Sequence, residues 1–213
     1  MPSSPLLQAA HSSTAGSIRQ VRRAELPADT TSLARWLIGK LVVRDLPEGR
    51  ISGRIVETEA YLPGDAACHA FRGITPRNRS LFLPTGHAYV YRAYGTSWML
   101  NVSGGPQGVG AGVLIRALQP LEGMDLMRRA RGTVPERDLA RGPGRLAAAL
   151  AVDRGLDGTD LTEPGPLWLG ADDTPHGDIG VSVRIGITKD AQRPLRFYLR
   201  VCRFVSGPAR LNS

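Results

Sequence analysis

Cysteine and histidine are scarce in this chain of 213 residues, which has two of the first and four of the second. Cys68 and Cys202 form no Cys-x-x-Cys pair, and no cysteine–histidine spacing matches a structural zinc site. We therefore predict no metal site. Two free thiols in a reducing compartment are the simpler interpretation, although a single disulfide is left open. The histidines are too dispersed to form a ligand set: His11, His69, His87 and His176.

Long apolar runs and nucleotide-binding motifs are also missing. No stretch of 18 apolar residues occurs, so the sequence predicts no membrane-spanning helix. The glycine-rich residues 104–108 match neither the Walker pattern nor Gly-x-Gly-x-x-Gly. We accordingly predict that the protein needs no cofactor and has no membrane partner.

Acidic residues are absent from the first 24 positions, which are rich in serine and carry three arginines. This composition is found both in transit peptides and in disordered tails. We interpret residues 1–24 as a flexible basic tail and residues 25–213 as a single domain.

Over the whole chain, basic residues outnumber acidic ones. Lys and Arg total 27 against 19 Asp and Glu, which gives a net charge of +8 and a pI of about 10.3. This balance favours a nucleic acid or another anionic surface as the partner, with a merely soluble cationic protein as the alternative. The 25 glycines and 16 prolines predict many turns and short strands.

Two glutamates, Glu57 and Glu59, stand two positions apart in a half-buried strand predicted over residues 50–61. Ile55 and Val56 give the segment strand character, and side chains two apart on a strand share a face, here about 7 Å from one another. Carboxylates so placed repel and raise one another's pKa. The pair suits general-base work or the acid pair of an inverting glycosidase. Two solvated side chains on an exposed strand face are the alternative.

Aromatic residues make up only 6% of the chain, yet four of them lie in one predicted hairpin. Residues 87–94 alternate as a strand, residues 95–97 turn, and residues 98–102 return. Flat rings stack on nucleobases, and a side chain at a hairpin tip is able to wedge between base pairs. Packing in the core is the alternative, especially for Trp98 and Tyr89. The four aromatic residues are Tyr89, Tyr91, Tyr94 and Trp98.

Three arginines, Arg72, Arg77 and Arg79, occupy a long polar loop predicted over residues 62–80. Loops of this length in a compact domain are often functional. These side chains are candidates for binding DNA phosphates, which would make binding strongly dependent on salt.

A further arginine, Arg116, interrupts the apolar run of residues 113–118. A buried arginine requires a carboxylate or phosphate partner, and Glu59 is a plausible one. A strand position that faces solvent is the alternative.

Other segments are predicted from their patterns alone. Asp29 is an N-cap candidate for a helix whose apolar residues run from Leu33 to Leu41. Residues 156–178, rich in Gly, Pro and Asp, are predicted to be mostly loop. Residues 181–187 alternate strictly and predict a half-buried strand.

Several motifs occur in order along the chain, and together they resemble one known family. The resemblance is to the alkyladenine (3-methyladenine) DNA glycosylase family, of the animal alkyladenine glycosylase type, over about residues 30–205. The stretch between Glu59 and His69 is one residue shorter than in the animal enzymes. The motifs are RIVETEAY at 54–61, TPRNR at 75–79, YVYRAYG at 89–95, NVS at 101–103, VLIRALQPLEG at 113–123 and PLRFY at 194–198.

This resemblance implies an α+β fold, with a single mixed domain around a curved antiparallel β-sheet and a protruding β-hairpin. It also implies a monofunctional enzyme of base-excision repair. Such an enzyme flips alkylated or deaminated purines out of duplex DNA and hydrolyses the N-glycosidic bond, which leaves an abasic site. Glu59 matches the general base of the family, Arg116 the arginine that helps to hold the attacking water, and Val205 the residue whose carbonyl does the same.

Further roles follow residue by residue from the same resemblance. Tyr61, His69 and Tyr91 match the residues that sandwich the flipped base. Asn101 matches the asparagine that clashes with the 2-amino group of normal guanine. Tyr94 matches the hairpin-tip tyrosine that fills the gap in the minor groove.

The expected partner is double-stranded DNA that contains damaged purines, and we expect a monomer. If the source is bacterial, we expect the protein in the cytoplasm, associated with the nucleoid. If the source is eukaryotic, we expect it in the nucleus. Two other classes stay open: a non-catalytic DNA-binding protein, and a carbohydrate glycosidase that uses Glu57 and Glu59 as its acid pair. The sequence leaves the preferred lesion open among 3-methyladenine, 7-methylguanine, hypoxanthine and ethenoadenine.

Overall fold

One antiparallel sheet with three α-helices forms the described part of the protein. The computed structural model describes residues 17–93 and 95–212. This architecture confirms the predicted α+β class. Within those residues the helices are α1 (Thr30–Leu37), α2 (Met124–Arg131) and α3 (Pro143–Ala149), and the strands are β1 (Arg19–Gln20), β2 (Leu41–Leu46), β3 (Gly49–Tyr61), β4 (Ala88–Ala93), β5 (Ser97–Ser103), β6 (Gly112–Glu122), β7 (Leu167–Ala171), β8 (Ile179–Ser182) and β9 (Arg196–Leu199).

Strand β3 organises the sheet because three other strands pair with its two edges. The sheet runs in the order β1-β7-β2-β3-β6-β5-β4, and β9 pairs with both β3 and β8. One edge of β3 pairs with β6, while the other pairs with β2 as far as Arg54 and with β9 from Glu57 to Glu59. The register with β6 shifts between Ile55 and Thr58, and an irregularity of this kind bends a strand.

Residues 51–60 of β3 are all buried, which differs from the expected half-buried strand. The strand lies inside the sheet, and α1 packs against it. The hydroxyl of Thr58 donates to the carbonyl of Ala34 at 2.8 Å, so a hydrogen bond joins β3 to that helix. The alternative of two solvated glutamates on an exposed strand face is therefore wrong.

Helix α1 begins as predicted but ends early. The Asp29 side chain accepts from the backbone N–H groups of Thr31 and Ser32, as an N-cap does. The helix ends at Leu37, and Gly39 then takes a positive φ of 86°, a conformation that suits glycine. Leu41, predicted in the helix, instead begins β2.

Of two further predicted segments, one is confirmed and one departs from its prediction. Residues 156–178 are mostly loop, as predicted, and the main exception is β7, whose apolar residues pair with β2 and β1. The alternating residues 181–187 stay in the sheet only as far as Ser182. Beyond that point the chain leaves the sheet: Arg184 pairs with Asp65, and the N–H of Ile185 binds Glu59.

The folded part of the chain begins earlier than the expected boundary at residue 25. Residues 19–20 form β1, and the adjacent Val21 is fully buried and donates its N–H to Leu169. These residues pack on the sheet although they fall within the predicted tail. Residues 1–16 lie outside the described residues, so the prediction of a flexible tail is untested there.

The predicted hairpin is formed by β4 and β5, paired from Ala88 with Val102 to Ala93 with Ser97. Tyr94, the residue predicted for its tip, lies outside the described residues. Cys68 and Cys202 are both free thiols, as expected. Among the residues described, no helix is long and apolar enough to cross a membrane.

Replacing Gly110 by alanine should destabilise the fold. An added Cβ would come within 2.3 Å of the Cβ of Ala70 and within 2.6 Å of the ring of Phe82. Because overpacking of this kind forces neighbours to move, we expect the free energy of unfolding to fall by about 1–3 kcal/mol. Gly177→Ala is the control, since nothing lies within 4 Å of an added Cβ there. Urea denaturation followed by tryptophan fluorescence checks this, and equal midpoints for the two variants would contradict it.

Candidate active site

Four charged side chains form a buried cluster at the middle of the sheet. Glu57 and Glu59 come from β3, Arg116 from β6 and Arg196 from β9, and none is more than 6% exposed. Two carboxylates and two guanidinium groups make the cluster neutral in sum. Buried charges are tolerated in proteins when they are paired in this way.

Both oxygens of Glu57 are occupied by hydrogen-bond donors. Its Oε1 accepts from the Nε–H of Arg116 at 2.8 Å and from the Nε–H of Arg196 at 2.7 Å. Its Oε2 accepts from the backbone N–H of Ser206 at 2.7 Å. Burial alone would raise the pKa of the Glu57 carboxyl, but the two arginines and Ser206 outweigh it and lower that pKa. The expectation that the neighbouring Glu59 raises the pKa of Glu57 is thus wrong.

Glu59 has different partners, and these lie beside a cavity. Its Oε1 accepts from the N–H of Ile185 at 2.7 Å and lies 3.2 Å from a terminal nitrogen of Arg116. Its Oε2 accepts from the hydroxyl of Tyr61 at 2.9 Å. Glu59 itself is fully buried, while these three partner residues all line the cavity.

Arg116 forms ion pairs with both glutamates. It is therefore a buried, paired charge and not a strand residue that faces solvent. Burial opposes its positive charge, but Glu59 and Glu57 outweigh that effect and raise the pKa of the guanidinium. The prediction that Glu59 is a partner of Arg116 is confirmed by their ion pair, and Glu57 is a second partner at a shorter distance.

The cavity has a volume of about 490 Å³ and brings together all four residues predicted for a base pocket. Leu114 and Gly112 of β6 and Pro143 of α3 supply part of its wall. This arrangement brings together side chains from the polar loop, the hairpin and β3. The predicted site residues that line it are Tyr61, His69, Arg77, Tyr91, Asn101 and Arg116.

Three rings form one wall of this cavity. Tyr91 lies 4.4 Å from His69, centroid to centroid at an interplanar angle of 68°, and stacks on Tyr89 at 5.3 Å. His69 Nδ1 and the Tyr89 hydroxyl are 2.9 Å apart. Burial, with a smaller effect of Arg77, lowers the pKa of the His69 imidazole and favours its neutral form. The short contact between His69 and Tyr91 leaves no room for a base between those two rings.

Tyr61 is fixed from two directions. Its hydroxyl donates to Glu59, and the guanidinium of Arg184 lies 4.6 Å from the centroid of its ring. Arg184 is in turn held by Asp65, and both side chains are buried. Burial, followed by the charge of Glu59, raises the pKa of the Tyr61 hydroxyl, which therefore remains a donor.

The other predicted site residues are placed as follows. Asn101 is buried in the cavity wall, where its amide donates to the carbonyl of Tyr89 at 3.1 Å. Arg72, Arg77 and Arg79 are exposed on the loop. The guanidinium of Arg77 lies 6.0 Å from the centroid of the Tyr91 ring.

Val205, matched to a water-holding carbonyl, is buried, and that carbonyl accepts from the Nε–H of Arg141 at 2.8 Å. Within residues 17–93 and 95–212, no group of three or more His, Cys, Asp or Glu side chains is arranged to hold a metal ion.

Sequence reasoning missed several residues of the site, above all Arg196 and Arg184. Both are charges inside short apolar or alternating segments, the same signal that singled out Arg116. A second missed signal is the lack of any Asp or Glu from residue 66 to residue 121, a stretch that contains five arginines. That stretch supplies most of the cavity wall.

The buried cluster of two carboxylates and two arginines therefore borders a cavity with an aromatic wall. The model of the family described as "Methylpurine-DNA glycosylase (MPG)" matches residues 24–203, and the chain belongs to that family.

Relatives cover nearly the whole of the folded chain. A protein of Mesorhizobium japonicum is 69% identical over 192 residues, covering 90% of this chain and 92% of its own. One of Paraburkholderia phytofirmans is 53% identical, covering 89% of each chain, and one of Methanoculleus marisnigri is 48% identical, covering 84% of this chain and 94% of its own. Each bears the name "Putative 3-methyladenine DNA glycosylase". These relatives support the family, whereas the narrower resemblance to the animal type stays a prediction.

Replacing Glu57 by glutamine should strongly destabilise the protein. The change removes the carboxylate that Arg116 and Arg196 share, which leaves the buried Arg196 without the anion it is paired with, whereas Arg116 keeps Glu59. We expect the free energy of unfolding to fall by about 3–5 kcal/mol. Glu136→Gln is the matched control, because Glu136 forms an exposed ion pair with Arg203 and its loss should change stability by at most about 1 kcal/mol. Urea denaturation of both variants provides the measurement, and similar small changes would refute the assignment.

Proposed function

We propose that this protein, a DNA-3-methyladenine glycosylase of base-excision repair, binds a damaged purine that is flipped out of double-stranded DNA and hydrolyses its N-glycosidic bond with water activated by Glu59. The observation that carries this proposal is the asymmetry of the two glutamates. Glu57 is saturated by two arginines and a backbone N–H, whereas every partner of Glu59 lines the cavity.

The aromatic walls suit a flat, electron-poor base. Since His69 and Tyr91 contact one another, the base is expected between Tyr61 on one side and the His69–Tyr91 pair on the other. Stacking on such rings contributes about 1–3 kcal/mol per base. Ring faces also attract positive charge, so a cationic alkylpurine gains additional stabilisation. Asn101, in the same wall, would clash with the 2-amino group of normal guanine.

In the proposed reaction Glu59 accepts a proton from water while the water oxygen bonds to C1′ of the sugar. The N-glycosidic bond breaks, and its electron pair leaves with the base nitrogen. A methylated cationic purine departs as a neutral molecule, so this step requires no strong acid. The negative charge of Glu59 also stabilises the oxocarbenium-like transition state.

Two neighbours set the properties of Glu59 in this proposal. Arg116 holds the carboxylate by an ion pair and orients it toward the cavity wall. The hydroxyl of Tyr61 donates to Oε2 of Glu59, and we propose that the attacking water takes the place of this hydroxyl when the base enters. A carbohydrate glycosidase with Glu57 as the acid is disfavoured, because the arginines keep Glu57 ionised.

The DNA backbone is proposed to bind across the basic face of the loop. Arg72, Arg77 and Arg79 would bind phosphates, and Tyr94 at the hairpin tip would fill the space that the flipped base leaves. We further propose that the protein acts as a monomer and without a cofactor. For a bacterial source, as the bacterial relatives suggest, its place would be the cytoplasm.

Glu59→Gln should remove excision and leave DNA binding largely intact. Glutamine keeps the shape of the side chain but accepts no proton, and loss of a general base lowers rates by about 10²–10⁴-fold. Release of 3-methyladenine from alkylated duplex DNA measures the first effect, and a gel-shift titration on an abasic-site duplex measures the second. Glu136→Gln serves as the control. Release at a near wild-type rate would refute the role assigned to Glu59.

Tyr94→Ala should weaken binding to duplex DNA that contains a lesion. The lost ring would otherwise stack beside the gap, and stacking of about 1–3 kcal/mol corresponds to roughly 5- to 150-fold in affinity. Thr96→Ala, an exposed change in the same turn, should bind normally. If both variants bind the lesion duplex like the wild type, Tyr94 is not a wedge.

A further inference from the structure

Three exposed apolar residues lie on two segments of the chain that meet beside the cavity. Among the residues described, five large apolar side chains are exposed, and three of these are Phe71, Ile74 and Val109, at 52, 64 and 37%. Val109 belongs with the other two because the adjacent Gly110 packs against Ala70, so closely that an added Cβ would come within 2.3 Å of the Ala70 Cβ. We call these three side chains the apolar rim.

The loop that carries two of the rim residues has a fixed shape. The buried Asn78 donates from its amide to the carbonyls of His69 at 2.8 Å and Gly73 at 3.0 Å. Its side-chain oxygen accepts from the N–H of Thr75 at 2.6 Å. These hydrogen bonds fix the loop, and the loop in turn exposes Phe71 and Ile74 to solvent. A fixed apolar patch of this kind is typical of a binding surface.

The charge around the rim identifies the kind of partner. Arg72 stands between Phe71 and Ile74, and Arg77 and Arg79 follow on the same loop, all exposed. No acidic residue occurs anywhere from position 66 to position 121. Such a surface attracts a polyanion. Duplex DNA fits both features, because apolar side chains contact its sugars and base steps in the minor groove while arginines bind the phosphates on either side.

The position of the loop decides which part of the DNA is contacted. The same loop contributes His69 and Arg77 to the cavity that would receive the flipped purine. The rim therefore lies next to the path of the strand that enters the cavity.

We propose that the apolar rim packs against the deoxyribose faces and base edges of the nucleotides that flank the flipped purine, as an apolar contact separate from the hairpin tip. This inference rests on the proposed function, since it takes damaged duplex DNA as the partner. Burial of apolar surface releases no counterions, so the rim strengthens binding independently of salt, unlike the arginines beside it.

The test compares the salt dependence of two kinds of variant. A fluorescence-anisotropy titration follows binding to a duplex with a tetrahydrofuran abasic site, which cannot be excised, between roughly 50 and 200 mM salt. Phe71→Ala and Ile74→Ala should each weaken binding about tenfold at every salt concentration, without a change in the slope of log K against log salt. Arg72→Ala should instead reduce that slope by about 1.

Two controls restrict the effect to the rim and to the lesion. Val181→Ala removes another exposed apolar side chain, on β8, and should not change affinity. Binding of the rim variants to undamaged duplex should stay near that of the wild type, because non-specific binding is electrostatic.

Two outcomes would overturn the inference. The first is wild-type affinity of both rim variants for the abasic duplex. The second is a loss of affinity together with a smaller salt slope, which would mean that the loop had moved and phosphate contacts were lost. Release of 3-methyladenine by the wild-type protein separates the two proposals. If the wild type releases the base and the rim variants bind normally, only this inference fails; if no base is released, the proposed function fails.

Discussion

The ion-pair chain through Arg116 is the interaction on which the site depends. One guanidinium is shared by two carboxylates, and the more saturated carboxylate, Glu57, also binds Arg196. Charges so deeply buried are stable only while each has its partners. The strand that carries both glutamates is also the strand that three others pair with. The strand pairs that build the sheet around β3 are thus also the pairs that bring Arg116 and Arg196 to the glutamates.

These ion pairs place the two glutamates, which are chemically identical, in different environments. Glu57 is surrounded by donors and stays ionised, so it acts as a structural counter-ion. Glu59 has one hydrogen bond from a hydroxyl, which in the proposed mechanism a water molecule replaces. A spacing of two along a strand places both side chains on one face, but the strands that pack against that face decide which of them is available for chemistry.

The sequence predicted the parts of this arrangement that depend on local pattern. The strand with the glutamate pair, the aromatic hairpin and the odd charge at Arg116 were all recognisable, because alternation and an interrupted apolar run are local properties. The partners of Glu57 were not, since Arg196 and Ser206 lie about 140 and 150 residues further along the chain and reach it only through the pairing of β9 with β3. Burial of β3 on both faces was likewise missed, because it depends on what the rest of the chain places over the sheet.

The double pairing of β3 has a further consequence for how the protein would lose its activity. Amide groups in a central strand exchange with solvent only when large parts of the sheet open. Glu59, the carboxylate that we propose as the general base, lies on that strand, so its geometry should last as long as the fold. Local opening of the loop that carries Phe71 and Ile74, or of the hairpin, would therefore affect the proposed DNA contacts first. The charge cluster around Glu59 would persist until the molecule as a whole unfolds.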